Sequence, residues 1–354
     1  MASIIRNTAF NPVITGGLLL ALTRAPDNIR VPLLQKLQEV LSATTIANAI
    51  TSLKWLFGLG LAKRISNAFS DLAQDNFNLR ADSRYDWPNE IVLVTGAAGG
   101  FGTLFCNDLA AKGLTVVGTD IVESPSWETG PKRHYYQCDI TDREAVMSMA
   151  ERIKTEVGNP SILINNAGVA FNHSLLKVKE ATLHKIFGVN LFSHYYTLQA
   201  FLPAMIEQDK GHVVNIASMA SFTTTPSLIP YSNTKVAALS LHEGLRTELR
   251  TIYDAPHVRA SVVHPFFATT PMTAKFASDI TSSGAKMLDP QDVSDAVVKQ
   301  ILSGRGRQIV LGGGFGFMSA SRGWPHWLSD LLTQLAESGR KPSMARKGEE
   351  VSSR

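Results

Sequence analysis

From residue 91 onward, short apolar segments alternate with amphipathic segments over about 220 residues. The short segments are rich in β-branched residues, which is typical of buried strands, whereas apolar positions in the longer segments recur with a helical period. This alternation predicts an α/β fold with a doubly wound, mainly parallel, seven-stranded sheet. We predict strands at residues 91–95, 114–119, 134–138, 161–165, 212–217, 258–263 and 308–311, and long helices at 100–112, 142–157, 180–207 and 231–253.

Residues 1–88 lack this alternation and are predicted to form a separate, hydrophobic helical extension. The apolar residues 13–22 are too few to span a bilayer as a helix, which takes about 20 residues. Residues 43–62 are long enough, but Lys54 near their middle would cost about 2.5 to 3.5 kcal/mol on insertion scales. Between these segments, Pro32 is expected to begin an amphipathic helix.

Two interpretations of this extension stay open. It is either a membrane anchor, built as a re-entrant hairpin or as helices lying in the interface, or a set of helices that pack on the following domain or on a second subunit. A cleaved signal peptide is disfavoured, because no small-residue cleavage pattern follows a basic start. The apolar segments favour membrane association.

The pattern changes again beyond the last predicted strand. Residues 312–316 are predicted to form a glycine-rich turn, and residues 317–338 an amphipathic helix. Its apolar face suits a membrane interface, a lid over a cleft or a dimer contact, and the sequence does not separate these. Residues 339–354 are polar and basic, so we expect a disordered tail. The residues of the apolar face are Trp324, Trp327, Leu328, Leu331, Leu332 and Leu335.

Composition narrows the class of protein. The 354 residues are 44% hydrophobic and 18% charged, with a formal net charge of +4, which is typical of a globular chain. No dense basic run lies outside the tail, so we expect no nucleic-acid partner. Cys106 and Cys138 fall in a predicted helix and near a predicted strand end, which favours buried free thiols. No histidine has metal-ligand spacing, so no metal site is predicted.

Residues 91–102, IVLVTGAAGGFG, join a predicted strand to a helix through a glycine-rich turn. Such a turn lets the backbone approach a phosphate, while free N–H groups and the helix dipole favour its negative charge. Asp120 lies 24 positions after Gly96, at the end of the second apolar segment, where a carboxylate would meet the ribose hydroxyls of NAD. Residues 89–316 are therefore predicted to form a Rossmann-type dinucleotide-binding domain.

A second group of residues predicts acid–base chemistry. Tyr231 and Lys235 are four positions apart on a predicted helix, so their side chains lie on one face. An ammonium group there is expected to lower the pKa of the tyrosine from about 10 towards neutrality, which makes Tyr231 a candidate general acid and base. Ser218 follows a strand at the edge where open α/β sheets bind ligands, and its hydroxyl is expected to hold a substrate oxygen.

These motifs occur in an order that resembles one family. The chain carries TGxxxGxG from Thr95 to Gly102, then Asp120, Asp139, the sequence NNAG at 165–168, Asn190, Ser218 and the Tyr231–Lys235 pair. On this basis residues 91 to about 312 resemble the short-chain dehydrogenase/reductase family. With the hydrophobic extension, the chain is similar to the membrane-associated branch of retinol, 17β-hydroxysteroid and long-chain alcohol dehydrogenases.

The resemblance implies a role for each matched residue. Tyr231 would exchange the proton with the substrate oxygen, Ser218 would position that oxygen, and Lys235 would bind the nicotinamide ribose and lower the pKa of the tyrosine. Asn190 would hold a water that links Lys235 to solvent. The implied cofactor contacts are Gly96, Gly100, Phe101, Gly102, Asp120, Asp139, Asn166, Ala167, Gly168 and Thr270, together with Tyr231 and Lys235.

The chain departs from the family after the sixth strand. Where members carry PGxxxT, this sequence has Phe266 in place of the glycine, although Thr270 keeps the last position. The local backbone is therefore expected to differ, and Phe266 and Phe267 are expected to line the substrate pocket instead. Other apolar residues near the predicted cleft, including Met219 and Met272, suggest a lipophilic alcohol or ketone as substrate.

Charge decides the predicted cofactor. The Asp120 carboxylate would bind ribose hydroxyls but repel a 2′-phosphate, and the glycine turn contains no Arg or Lys. NAD is therefore preferred to NADP. The leading hypothesis is an NAD-dependent alcohol dehydrogenase for a lipophilic substrate, attached to the cytosolic face of the endoplasmic reticulum or a lipid droplet.

Three further expectations accompany this hypothesis. If the extension packs on the domain, the protein would be cytoplasmic. A membrane-tethered dinucleotide-binding scaffold or sensor with little catalysis, or a soluble secondary-metabolite ketoreductase, is the alternative function. By family resemblance, the long helices at 180–207 and 231–253 would form a homodimer interface.

Overall fold

The computed structural model describes residues 8–125, 127–274, 280 and 286–338. The chain divides into two compact units, Met1–Ala73 and Gln74–Arg354. The tail expected at residues 339–354 lies outside the described residues, as does the side chain of Leu335.

The described part of the first unit includes the helices α1 (Pro12–Thr23), α2 (Asp27–Gln38) and α3 (Ala43–Gln74), of which the last residue of α3 belongs to the second unit. Helix α1 begins where Asn11 accepts a hydrogen bond from the Val13 N–H and a proline follows. The expectation that Pro32 begins a helix is wrong, because α2 starts five residues earlier and contains Pro32. The apolar residues 43–62 and the helical pattern after them form one continuous helix, α3.

Helices α1 and α3 lie close together at a glycine. An added Cβ at Gly16 would lie 2.9 Å from the ring of Phe57, so only a residue without a side chain fits this contact. Other apolar side chains of the unit are open to solvent, and Val13, Leu20 and Trp55 are at least 60% exposed. None of the described helices combines the length and the apolar character needed to cross a membrane.

The second unit is built on seven parallel strands, which confirms the predicted fold. They lie in the order β3-β2-β1-β4-β5-β6-β7, with β4 at the centre between β1 and β5. Each observed strand begins and ends within two residues of its predicted bounds. The strands are β1 (Ile91–Thr95), β2 (Thr115–Asp120), β3 (Arg133–Gln137), β4 (Ile162–Asn165), β5 (Gly211–Ile216), β6 (Val258–Pro265) and β7 (Gln308–Leu311).

Helices cover both faces of the sheet because successive strand residues point to opposite sides. Leu93 and its neighbours on one face pack in one buried cluster with three of the helices, whereas Val92 and Val94 pack in a second cluster on the other face. The first face is covered by α5 (Arg143–Glu156), α7 (Ser193–Glu207) and α8 (Ile229–Thr251), and the second by α4 (Gly100–Ala111) and α9 (Pro290–Leu302). The carboxyl ends of all seven strands therefore meet at one edge of the sheet.

Three local features differ from the predicted pattern. The single helix expected over 180–207 is divided into α6 (Glu180–Phe187) and α7 by a π-helical turn, Gly188–Phe192. The described residues between β2 and β3, 121–125 and 127–132, contain no helix. After β7 a 3₁₀ segment, Gly313–Gly323, precedes α10 (His326–Ser338), because Gly323 and Pro325 interrupt the pattern expected to be helical from residue 317.

Candidate active site

A cavity of about 500 Å³ opens at the carboxyl ends of the strands. It runs from the glycine turn after β1, past the ends of β4 and β5, to the segment that follows β6. Open α/β sheets bind their ligands at this edge. The cavity is lined by all the predicted site residues except Gly102 and Asn190, namely Gly96, Gly100, Phe101, Asp120, Asp139, Asn166, Ala167, Gly168, Ser218, Tyr231, Lys235 and Thr270.

The glycine turn has a shape that only glycine can adopt at two positions. Gly96 has φ +67°, and an added Cβ would lie 2.8 Å from the Cα of Ala167. Gly102 does not reach the cavity: it lies in the first turn of α4, and its Cβ would be 1.9 Å from the carbonyl oxygen of Gly96. Gly102 therefore brings α4 against the turn, while the residues before it face the ligand space.

The start of α4 is open towards a ligand. Gly99 lies at the N-cap, and no side chain caps the helix. An added Cβ at Gly99 would meet no atom within 4 Å, and at Gly100 only Thr270, at 3.8 Å. Phosphate groups bind at helix N-termini where the backbone N–H groups face open space. These residues fit the pyrophosphate of a dinucleotide.

Hydrogen bonds join this turn to the loop after β4. The Asn166 and Ala167 N–H groups donate to the Thr95 hydroxyl at 3.0 and 3.1 Å. The Asn166 amide donates in turn to the carbonyl of Thr95 at 2.9 Å and to that of Gly96 at 3.2 Å. The two loops therefore form one wall of the cavity.

Two carboxylates lie at the far end of the same wall. Asp120 accepts hydrogen bonds from the N–H of Ala98 at 3.0 Å and of Ile121 at 2.7 Å, so its side chain is held beside the glycine turn. Asp139 accepts from the N–H and the hydroxyl of Thr141 and is exposed. Both lie where the adenosine half of a dinucleotide would bind if its pyrophosphate lay on the start of α4.

Tyr231, Ser218 and Lys235 come together at the middle of the cavity. Tyr231 and Lys235 lie on the first turns of α8, and Ser218 follows β5. The Lys235 ammonium is buried, donates to the carbonyl of Ile216 at 2.8 Å, and lies 5.6 Å from the centre of the Tyr231 ring. The Tyr231 and Ser218 side chains both line the cavity, and Ser218 is close enough to act on the pKa of the tyrosine. The pair of hydroxyls offers one acidic proton and one oriented donor to a ligand oxygen.

The pKa of Tyr231 differs from the sequence-based prediction. Burial raises this pKa above its ordinary value, and the hydrogen bond with Ser218 acts in the opposite direction. The prediction that Lys235 lowers it towards neutrality is wrong in this structure. Lys235 is itself buried, which lowers its pKa to about 8, and its ammonium is directed to the Ile216 carbonyl. Tyr231 is therefore a protonated phenol at neutral pH.

Asn190 lies behind the cavity wall, in the π-helical turn. Its amide donates to the Val169 carbonyl at 2.9 Å and to the Thr234 hydroxyl at 3.1 Å, and its oxygen accepts from the Val169 N–H at 2.8 Å. π-helical turns often occur at functional sites, where they reorient a side chain. Here the turn directs Asn190 so that it ties the loop after β4 to the helix that carries Tyr231 and Lys235.

Aromatic side chains form the wall at the other end. Phe266 and Phe267 both line the cavity, as the departure from the PGxxxT motif predicted. Their rings meet edge to face at 5.0 Å, and Phe266 stacks on Phe315 of the 3₁₀ segment at 5.3 Å. The hydroxyl of Ser321, in the same segment, donates to the carbonyl of Phe222. The 3₁₀ segment is thus attached to both sides of the apolar end.

Sequence reasoning missed several residues of the site. Gly99 and Cys138 line the cavity, although neither carries an unambiguous motif position. His264 donates from Nδ1 to the carbonyl of Ser218 at 3.0 Å, and burial lowers its pKa to about 4, so it is a neutral support for that residue. Only its position at the end of β6, next to the end of β5, could have indicated this role.

Comparison with known proteins agrees with this geometry. Residues 90–281 match the family model described as short chain dehydrogenase. Dehydrogenase RED2 of Cochliobolus heterostrophus is 37% identical over 209 residues, which cover 59% of this chain and 78% of that protein. Estradiol 17-beta-dehydrogenase 11 of Rattus norvegicus is 33% identical over 251 residues, which cover 69% of this chain and 82% of that protein.

A solved structure has the same fold at lower sequence identity. The 3-ketoacyl-(acyl-carrier-protein) reductase of Brucella melitensis, in a complex with NADH, matches with a TM-score of 0.58 and 24% identity, over 65% of this chain and 98% of that one. Motifs, fold and relatives therefore agree. The chain belongs to the short-chain dehydrogenase family, in the branch that includes the 17β-hydroxysteroid dehydrogenases.

Proposed function

We propose that the protein is an NAD-dependent oxidoreductase that interconverts an alcohol and its carbonyl compound on a lipophilic substrate. The observation that carries this proposal is that Tyr231, Ser218 and Lys235 meet in one cavity, with the Lys235 ammonium 5.6 Å from the centre of the tyrosine ring. The three residues lie between a phosphate-binding turn and an aromatic wall. A substrate oxygen bound there would be within reach of a proton donor.

Each side chain has a separate task in this reaction. When bound, the nicotinamide supplies or accepts the hydride at the carbon of the reacting group. In the reductive direction Tyr231 donates its phenolic proton to the carbonyl oxygen, since burial keeps the phenol protonated at neutral pH. Ser218 holds that oxygen, and Lys235 would bind the nicotinamide ribose beside the tyrosine ring. Asn190 fixes the position of the loop and the helix around them.

The choice of NAD rests on the end of β2. Asp120 places a carboxylate beside the turn, and the exposed residues that follow it are Ile121 and Val122, which cannot bind a phosphate. The same connection carries Glu123 and Glu128, so its charged side chains are acidic up to Lys132. A 2′-phosphate would be repelled there, whereas ribose hydroxyls could donate to Asp120.

The lipophilic substrate class rests on the aromatic end. Phe266 and Phe267 present ring surface to the cavity, with Met219, Leu228 and Met272 nearby in its wall. A flat or extended apolar molecule with one oxygen function would bury its body against these residues. The relative named estradiol 17-beta-dehydrogenase 11 supports a steroid or another lipid alcohol as the first class to test.

A Tyr231→Phe substitution tests the chemistry. We expect turnover to fall by about 10²- to 10⁴-fold, because the phenylalanine ring has no proton to transfer, while the Kd for NADH stays within twofold. Oxidation or reduction of a panel of sterols, retinoids and fatty alcohols, followed by NADH absorbance, measures the first, and calorimetry the second. Tyr253→Phe, at an exposed position two residues after the end of α8, is the matched control.

The outcomes distinguish the proposal from its alternatives. Unchanged turnover in Tyr231→Phe would exclude the proposed mechanism. A wild-type protein that binds NADH tightly but converts no substrate in the panel would favour the alternative of a dinucleotide-binding scaffold. Cofactor choice is tested separately by Asp120→Ser, which should reduce the preference for NAD over NADP by at least about tenfold. Unchanged rejection of NADP would contradict the role of Asp120.

We also propose that residues 1–73 bind the surface of a membrane, with the enzyme on the cytosolic side of the endoplasmic reticulum or a lipid droplet. Exposed Val13, Leu20 and Trp55 support this, since apolar and tryptophan side chains favour the interface. Flotation with phosphatidylcholine vesicles should recover the wild type, and Leu20→Ser with Trp55→Ser should weaken recovery, whereas Gln35→Ser should not. Equal recovery of all three would contradict the proposal.

We also expect a homodimer whose interface is formed by residues 180–207 and 231–253. Sedimentation of the same proteins without vesicles tests this expectation.

A further inference from the structure

The connection between β2 and β3 is unusual for a parallel pair. Such crossovers ordinarily contain a helix that covers the sheet. Here only residues 121–132 separate the two strands, and the described part of this connection has no helix. The sheet face above β2 must therefore be covered by another group.

Trp127 covers this face. Its side chain is buried, and the ring lies directly on Gly118 in the middle of β2, where an added Cβ would be 2.5 Å from the indole. Tyr135 of β3 meets the ring edge to face at 6.0 Å, and the Arg133 guanidinium lies over it at 5.2 Å. The residue belongs to the same buried cluster as Val116 and Phe105, so it replaces part of the missing helix.

Trp127 also reaches the glycine turn. Its indole N–H donates to the carbonyl of Ala97 at 3.0 Å. The Ala97 N–H donates to the Thr119 carbonyl at 3.1 Å, and the next N–H, of Ala98, donates to Asp120 at 3.0 Å. The Ala97 carbonyl also accepts from the Thr103 hydroxyl at 3.3 Å, and the Gly96 carbonyl from the Asn166 amide at 3.2 Å. The two peptide groups that follow Gly96 are thus held by five partners, of which Trp127 is the one contributed by the connection itself.

We propose that Trp127 is a positioning residue for the dinucleotide: it holds the glycine turn in the conformation that receives the pyrophosphate. This inference rests on the proposed dinucleotide function. A turn held in place before binding loses less conformational freedom when the ligand arrives, so its affinity is higher. Because Trp127 touches neither the hydroxyl pair nor the aromatic end, it should affect cofactor affinity and leave the chemical step unchanged.

Trp127→Phe tests the proposal, because phenylalanine keeps most of the ring but has no N–H. We expect the Kd for NADH to rise by about three- to tenfold, the range that a lost hydrogen bond produces. The turnover number at saturating cofactor should stay within twofold. The matched control is Trp87→Phe, where a tryptophan that stacks on Tyr85 is changed outside the cavity, and its Kd should equal that of the wild type.

A second measurement includes a wild-type part that does not depend on how the variant folds. Hydrogen exchange of wild-type peptides that cover residues 96–98 should be slow without cofactor, and faster in Trp127→Phe. Rapid exchange in the wild type would overturn the proposal, as would an unchanged Kd in Trp127→Phe or equal losses in both tryptophan variants. A wild-type protein that binds neither NADH nor NADPH would instead contradict the dinucleotide function itself.

Discussion

At the glycine-turn end of the cavity the walls are main chain, whereas at the Phe266 end they are side chains. The turn is held by hydrogen bonds that the Asn166 amide donates and that the Thr95 hydroxyl and the Asp120 carboxylate accept. An added Cβ at Gly96 would collide with the backbone of the next loop. The aromatic end depends on ring contacts, such as Phe266 on Phe315, and on one hydrogen bond from the 3₁₀ segment.

This difference separates two kinds of specificity. A backbone wall fixes one geometry, so it suits a ligand part that never varies, such as a pyrophosphate. A wall of packed rings can change its shape by substitution of one side chain at a cost of about 1 kcal/mol, so it suits a part that differs between related enzymes. Substitutions at the two ends should therefore have very different consequences.

The largest effect is expected from Gly102→Ala. The new Cβ would lie 1.9 Å from the Gly96 carbonyl, and α4 must move away from the turn. We expect the free energy of unfolding to fall by about 3 kcal/mol, at the upper end of overpacking costs, and NADH binding to be lost. Gly244→Ala in α8 is the control, because its Cβ meets nothing within 4 Å and should stabilise the helix by about 0.5–1 kcal/mol. Urea unfolding measures both; equal stabilities would contradict the packing described for Gly102.

An intermediate effect is expected where the two ends meet, at Lys235. Burial lowers the pKa of this lysine to about 8, so between pH 8 and its unfolded value near 10.5 the unfolded chain binds more protons than the folded one. The free energy of unfolding therefore rises with pH between these two values because of Lys235. Relative to Lys235→Met, the wild type should become more stable by about 2 kcal/mol between pH 7.5 and 9.5. If the difference in free energy of unfolding between the wild type and Lys235→Met does not change with pH, this would contradict the lowered pKa of the buried lysine.

The smallest effect is expected at the aromatic end. Phe266→Ala and Phe315→Ala should each raise the KM for an apolar substrate by about two- to tenfold, since an aromatic pair contributes about 0.5–1.5 kcal/mol. Because the two rings stack on each other, the double variant should lose less than the sum of the single losses. The Kd for NADH should not change. Strictly additive losses would contradict the coupling of the two rings, and a loss of NADH affinity would show that the two ends are not independent.

The sequence predicted the sheet well because its signals are local. Parallel strands buried on both faces appear as short apolar runs, and residues such as Gly96, Asp120 and Ser218 mark their carboxyl ends. These ends meet at one edge of the sheet, so the cavity lining could be predicted from strand order. The pairing of Tyr231 with Lys235 followed in the same way from helical spacing.

Features that depend on three-dimensional surroundings were not predictable. The raised pKa of Tyr231 comes from burial by elements distant in sequence. The spacing between Tyr231 and Lys235 does not indicate this burial. Trp127 stands in an irregular connection, where no period indicates that its ring covers β2. Proline favours the first turn of a helix, so the sequence predicts a helix start at Pro32, but α2 begins at Asp27 and contains the proline near its middle.

The π-helical turn at Gly188–Phe192 makes the length of this segment as important as its composition. Deletion of a single residue there would let the chain run on as an ordinary α-helix, because a π-helical turn holds one residue more than an α-helical turn. The buried face of α7 would still face the sheet, but Asn190 would lose the position from which it bonds Val169 and Thr234. Relatives that share this architecture are accordingly expected to keep the extra residue even where the side chains around Asn190 differ.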